Sequence, residues 1–301
     1  MTLLAVVVVP FHGTACALPR TQYRDSETPT AERNYKPHRL EGPFMTYYAN
    51  GQLKAELYTK SGILTGPGSV YYPNGQIKEK ANYRNGRLHG MLKAYYKNGQ
   101  LKEQGQFRDG TPVGFAKRFY DNGQLKAKYY MQDGKLEGEL KEYYEDGQPK
   151  VVRNYEDGKL DGAFMAYYEN GQPWIECNFK SGEKDGPAET YYRNGQLKEE
   201  TNYKDARPDG DTKTYYENGN LKATRTYKGG VPEGPAKTYY ENGLLKENTT
   251  YKDGKPHGIA RIYHEGGGIH YIDTYLNGER LSRITHDEMG IITLNEDDAA
   301  E

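Results

Sequence analysis

Gly234-Pro235-Ala236-Lys237-Thr238-Tyr239-Tyr240-Glu241-Asn242-Gly243-Leu244-Leu245-Lys246-Glu247-Asn248-Thr249-Thr250-Tyr251-Lys252-Asp253-Gly254-Lys255 is the stretch that decides the fold. Two strand-length runs flank Asn242-Gly243, and a second reversal signal falls at Asp253-Gly254. Both dipeptides tolerate the positive φ of tight hairpin turns, so each predicts a reversal between antiparallel strands. With Asn242 and Gly243 as the two central residues, Tyr240 pairs with Leu245 and Tyr239 with Lys246. A three-residue loop closed by a bulge shifts that register by one. Side chains alternate along a strand, so Tyr240, Ala236, Leu245 and Tyr251 share one face with Gly234, while Tyr239, Lys237 and Lys246 share the other. The first face is the better core candidate.

The motif repeats in both directions along the chain. Tyrosine pairs run from Tyr47-Tyr48 to Tyr239-Tyr240 in steps of 24 residues, with Phe119-Tyr120 and Tyr263-His264 completing a series of ten. A glycine precedes each pair in the same register, from Gly42 to Gly258, and a second glycine series runs from Gly62 to Gly278 with Ala206 as its exception. A fixed period of this length is the signature of a tandem array, in which each unit buries its apolar side chains against its neighbours. The expected fold is all-β: an elongated, single, twisted antiparallel sheet built from ten tandem 24-residue β-hairpin repeats over residues 41–280.

Composition agrees with an array rather than a conventional core. Hydrophobic residues make up only 35% of the chain, against 30 tyrosines and 36 glycines, so tyrosine must supply much of the buried area. The net charge of −1 lacks the concentrated positive field on which non-specific nucleic-acid binding depends, and nucleic acid is not expected as a partner.

Outside the array, Leu3 to Val9 is an apolar run too short to span a bilayer. It matches the apolar region of a secretory signal, and Ala15-Cys16-Ala17 supplies a small-x-small cleavage pattern. The expectation is a signal peptide over 1–17, or a lipoprotein signal ending before an acylated Cys16, and export to the periplasm or cell envelope. Residues 18–40 then form a flexible leader, and residues 281–301 a C-terminal cap with an acidic tail. Cleavage at Ala17 leaves Cys177 alone, so no intrachain disulfide is expected in that form.

The string Tyr-Tyr-x-Asn-Gly-x-Leu-Lys, followed by an aromatic and Lys-Asp-Gly-Lys, resembles the MORN-repeat variant of the bacterial YwqK family of antitoxins. Tyr191 to Lys198 with Tyr203-Lys204-Asp205, and Tyr239 to Lys246 with Tyr251 to Lys255, carry the resemblance, which covers about residues 40 to 280. It implies an immunity or antitoxin role, in which the protein neutralises a cognate toxin by direct contact. Pro149 and Pro173 in place of leucine, Met131 in place of the late aromatic, and Ala206 in place of glycine depart from the pattern and mark the middle as irregular.

The most divergent unit is the sixth, where Pro173-Trp174-Ile175-Glu176-Cys177 replaces the usual Leu-Lys-Glu. Trp174 is the single tryptophan and stands where Lys150 and Lys198 stand in the flanking units. In the register above it joins Tyr143, Tyr167 and Tyr191 on the less apolar face. That cluster, edged by Lys150 and Lys198, has the composition of a partner-binding hot spot; the alternative is that Trp174 fills a gap left by Pro173. The Tyr/Lys face as a whole offers a second reading, an envelope scaffold that contacts a membrane surface, glycan or structural protein, although such ladders also stabilise ordinary sheets. No catalytic constellation stands out. Of the seven histidines only His264 and His270 are close, without further residues at metal-ligand spacing, and the glycine runs lack the Lys-Ser or Lys-Thr of a phosphate loop. Neither enzyme activity, nor a cofactor, nor a metal is expected.

Overall fold

The computed structural model describes residues 41–297; the expected signal segment 1–17 with Cys16, the leader 18–40 and the end of the acidic tail lie outside the described residues. The described chain falls into two compact units, residues 41–137 with 145–147 and residues 138–144 with 148–297. Both are all-β. Among the described residues the 26 strands pair antiparallel wherever a register is defined, and ten 24-residue hairpin repeats account for most of them.

The repeat that begins at Gly234 shows how the sequence builds a hairpin. Strands Val231–Tyr239 and Leu245–Lys252 pair Gly234 with Tyr251, Ala236 with Thr249 and Thr238 with Glu247. The register then shifts, so that Tyr239 faces Leu245. At the reversal the Gly243 amide donates to the Tyr240 carbonyl (2.9 Å) and the Tyr240 amide to the Leu244 carbonyl (2.8 Å). Gly243 has φ 88°. Glu241 and Asn242 are therefore the central residues, and the glycine closes the loop as a left-handed bulge residue, a conformation that would strain any side chain with a Cβ. Asn242 contributes differently from the sequence-based expectation: its Oδ1 accepts from the Leu244 amide at 2.9 Å. This is the bulged alternative, and it corrects the pairing of Tyr240 with Leu245.

A second irregularity, the register shift between Thr238 and Tyr239, corrects a face assignment. Lys246 has no partner across the ladder. Its Nζ instead lies 5.4 Å from the ring centroid of Tyr240, a residue that strict alternation puts on the opposite face. Between repeats, Asp253 (φ 49°) and Gly254 (φ 78°) form the two-residue reversal that Asp-Gly predicts, with Lys252 opposite Lys255.

The buried face is the one carrying Ala236 and Tyr251. Ala236 and Thr249 are buried and Tyr251 half-buried. In the first unit this face packs Leu57, Ala81, Tyr83, Leu92 and Phe107 into one cluster. Size complementarity across the hairpin makes the packing possible: Leu92 faces Gly105 and Ala116 faces Tyr129. Gly68 is fixed by the same packing, since a Cβ there would lie 2.8 Å from Leu57 Cδ2 and 2.9 Å from Tyr83 Cε2.

Beyond the tenth repeat, the segment expected to cap the array continues it. Glu279–His286 pairs with Gly267–Leu276 on one side and with Ile292–Asp297 on the other. Its turn repeats the familiar pattern, with the Gly290 amide donating to the Asp287 carbonyl and the Asp287 amide to the Ile291 carbonyl. Ser282 stands 24 residues after Gly258, and no residue from 279 to 286 has positive φ. The bulge that shifts register by two residues between Arg153 and Tyr155 shifts it by only one at Thr274/Tyr275. This hairpin is therefore one residue short of the period, which is why the 24-residue spacing does not reveal it.

Candidate functional site: the tyrosine turn edge

In eight of the repeats the second tyrosine of the pair joins its hairpin to the next. Tyr144 donates its hydroxyl to the carbonyl of Tyr167 (2.7 Å), Tyr168 to Tyr191 (2.8 Å), Tyr192 to Tyr215 (2.8 Å) and Tyr216 to Tyr239 (2.8 Å). The first three repeats and the ninth do the same. Burial raises the hydroxyl pKa values of Tyr72, Tyr96 and Tyr192, so these groups stay protonated and able to donate. The turn asparagine adds a parallel link: Asn170 Nδ2 donates to the Arg193 carbonyl (2.8 Å) and Asn194 Nδ2 to that of Glu217 (3.0 Å). One edge of each unit is thus a row of ring faces held by hydroxyl and amide contacts to the following repeat.

A cation covers most of these rings. Lys150 Nζ lies 5.2 Å from the centroid of Tyr144, Lys198 5.5 Å from Tyr192 and Lys222 5.3 Å from Tyr216. Five more repeats carry the equivalent pair. The geometry is that of a cation–π contact at an exposed site. Two repeats differ. In the sixth, Trp174 takes the lysine position, its ring 6.2 Å from that of Tyr168, and the Arg193 guanidinium lies 5.4 Å from the Tyr168 centroid. In the tenth, His264 and His270 occupy the tyrosine and lysine positions with rings stacked at 4.1 Å, and His264 Nε2 lies 3.4 Å from the His286 carbonyl.

The structure distributes the sequence-selected residues between two places. Trp174, 37% exposed, lies tilted at 45° to the Tyr168 ring, while Lys150 and Lys198 each cover the second tyrosine of their own repeat. The first tyrosines belong to the open face: Tyr167 donates to Met165 Sδ (3.5 Å) and Tyr191 to Glu189. Tyr143 is half-buried and pairs with Pro149. The two sets meet through the backbone, because Tyr144 and Tyr168 bond the carbonyls of Tyr167 and Tyr191. Burial, reinforced by Glu189, raises the Tyr191 hydroxyl pKa. Sequence reasoning missed Tyr168 and Arg193. A signal was present: the second position is tyrosine in nine of ten repeats and histidine in the other, whereas the first admits Phe119.

Among the described residues no group of three or more His, Cys, Asp or Glu is placed to hold a metal ion. Cys177 is buried, and burial raises its thiol pKa. The arrangement is suited to contact along an edge rather than to enclosing a small molecule.

These features define a tandem β-hairpin repeat protein with a cation-covered tyrosine edge. The chain belongs to the MORN repeat variant family, whose pattern matches residues 40–61, 64–85, 88–109, 114–133, 136–159, 160–181, 184–205, 208–228, 232–253 and 256–277. A search of curated proteins finds no match. Among solved structures, those titled "Crystal Structure of TcdB2-TccC3" and "Crystal Structure of TcdB2-TccC3-Cdc42" align over 85% of this chain at 13% identity, with a TM-score of 0.19. This chain spans 17% of the length of those chains.

Proposed function

We propose that this repeat protein is an exported, non-catalytic immunity protein that neutralises a cognate bacterial toxin by direct contact centred on Trp174. The observation that carries the proposal is the substitution of an exposed indole for the ring-covering lysine in the sixth repeat. A large aromatic with an adjacent arginine, bordered by Lys150 and Lys198, is the composition that concentrates binding energy at protein interfaces. The lysine that stands there in eight repeats would satisfy the ring equally well, so stability alone does not call for the indole. The family pattern supports a binding repeat, and the YwqK resemblance supplies the toxin as partner.

The test is capture from the producing cell by the chain and by Trp174→Lys, which restores the residue of the other repeats. The expected result is one stoichiometric toxin-like protein, its retention reduced at least about tenfold by the substitution, the scale of a hot spot worth about 1.4 kcal/mol or more. Salt-sensitive retention on anionic vesicles or glycans, with no protein bound, would replace this reading with an envelope scaffold using the Lys-covered edge. Capture indifferent to Trp174 would remove the indole from the site.

A further inference from the structure

The open faces of the two units carry like-charged rows of opposite sign at the same repeat position. In the first unit Lys93 faces Gln104, Gln104 faces Lys117, and Lys117 faces Lys128, a continuous row across four strands. The four strands between Gly90 and Gln132 contain one carboxylate, Glu103, which is buried on the other face. Residues 90–132 carry eight basic and three acidic residues, a net +5 in a chain whose total is −1. None of the three lysines makes an ion pair within the described residues. Beside the row, Phe115 is 76% exposed, held edge-on to Tyr130 at 5.0 Å, and Met91 is 42% exposed.

In the second unit the equivalent row reads Glu176, Glu189, Glu200 and Lys213, again on successive strands. Lys213 Nζ donates to Glu200 at 2.6 Å and Tyr191 donates to Glu189; Glu176 makes no ion pair among the described residues. Like charges directly opposite each other weaken a sheet, so each row has an electrostatic cost that a complementary surface would offset. Beside the acidic row lie Ala163 and the exposed Pro187, at the repeat position that holds Phe115 in the fourth repeat, small residues against which an exposed ring can pack.

We propose that the occupant of the lysine row is a second copy of this chain, which presents its own Glu176–Glu189–Glu200 row to Lys93, Lys117 and Lys128. The lysine row lies in the other unit from Trp174, and the proposal does not depend on the toxin reading. The two rows come from different positions in the chain, so the contact is heterologous, giving closed or open assemblies according to its rotation.

The test is analytical ultracentrifugation of the full chain and of two charge-reversed variants, Lys117→Glu/Lys128→Glu and Glu176→Lys/Glu189→Lys, each checked for fold by circular dichroism. The parent should associate reversibly, and more weakly as salt rises from about 0.1 M to about 1 M, where the Debye length falls from about 10 Å to about 3 Å. Each variant alone should associate at least about a hundredfold more weakly. An equimolar mixture should recover the association, an outcome that misfolding of either variant could not produce. Phe115→Ser should weaken association while leaving the circular dichroism unchanged. A parent that stays monomeric at low salt, or variants that associate as the parent does, would overturn the proposal. So would a monomeric parent that binds poly-L-glutamate, since the lysine row would then take an acidic chain other than its own copy.

Discussion

Residues 41–137 and residues 148–297 build the same hairpin with different interiors. The inner-face position that holds Leu57, Ala81, Gly105 and Tyr129 in the first stretch holds Arg153, Cys177, Thr201, Arg225, Thr249 and Asp273 in the second, all but Cys177 polar. In the first, aliphatic and aromatic side chains close over one another, and Leu92 is 1% exposed. In the second, several buried polar groups bond one another. Asp273, also 1% exposed, accepts from Arg283 Nε and Nη2 at 2.7 Å each and from the Tyr275 hydroxyl at 3.2 Å. Thr201 bonds Thr212, and Arg153 bonds Glu142 at 2.6 Å. The turns and tyrosine links fix the backbone in both, so the interior can vary from apolar contacts to polar pairs such as Asp273 with Arg283. The contrast extends outward, to the lysine row of one unit and the glutamate row of the other.

The largest effect should come from breaking a polar interior. Asp273→Ala leaves the Arg283 guanidinium without its carboxylate and is expected to cost about 3–5 kcal/mol, read by hydrogen exchange in strands Gly267–Leu276 and Glu279–His286. Burial alone would raise the Asp273 pKa, but the Arg283 and Tyr275 bonds prevail and hold it below the ordinary carboxylate value. A carboxyl depressed in the folded state contributes stability above its unfolded pKa, near about 4, and loses it as pH falls through the folded value. Asp273→Asn should flatten that part of the acid unfolding curve. An unchanged curve would mean that the pair contributes little to folding.

Leu92→Ala tests the apolar interior and should cost about 3 kcal/mol in urea unfolding, since a buried leucine is removed opposite Gly105, where no side chain can fill the cavity. Gly68→Ala should cost about 1–2 kcal/mol by overpacking against Leu57 and Tyr83. A neutral or stabilising result would show that these side chains yield easily and that the interior is looser than its burial suggests. The smallest effect belongs to the tyrosine links that the two regions share. Tyr192→Phe removes one hydroxyl bond to Tyr215 and should cost about 1 kcal/mol, with Tyr72→Phe in the other region costing the same within about 0.5 kcal/mol. A large difference between them would show that the edge is not equivalent in the two regions.

Much of this was legible in the residues. The Asp253-Gly254 reversal follows from positive-φ chemistry alone, and the buried face followed from alternation, with Ala236 and Tyr251 on it. Three features were not legible, for related reasons. The register shift beside each turn leaves Lys246 unpaired and beside Tyr240, and the equivalent shift places Trp174 beside Tyr168, because a bulged residue departs from strict alternation while the residues beyond it keep theirs. The last hairpin was hidden because Ser282 stands where the spacing calls for a glycine and the hairpin is one residue short of the period. The cross-repeat hydroxyl bonds join residues 23 positions apart, a distance at which strand alternation makes no statement.

By itself the sequence determined the period, the two reversals of each unit and the β class, since these depend on local conformational preference and on repetition. Only the tertiary structure decided which side chains meet across repeats: the tyrosine links, the rings that Trp174, Lys150 and Lys198 cover, and the pairing of Asp273 with Arg283. Those contacts depend on register and on the stacking of neighbouring hairpins, and a bulge of a single residue is enough to change them.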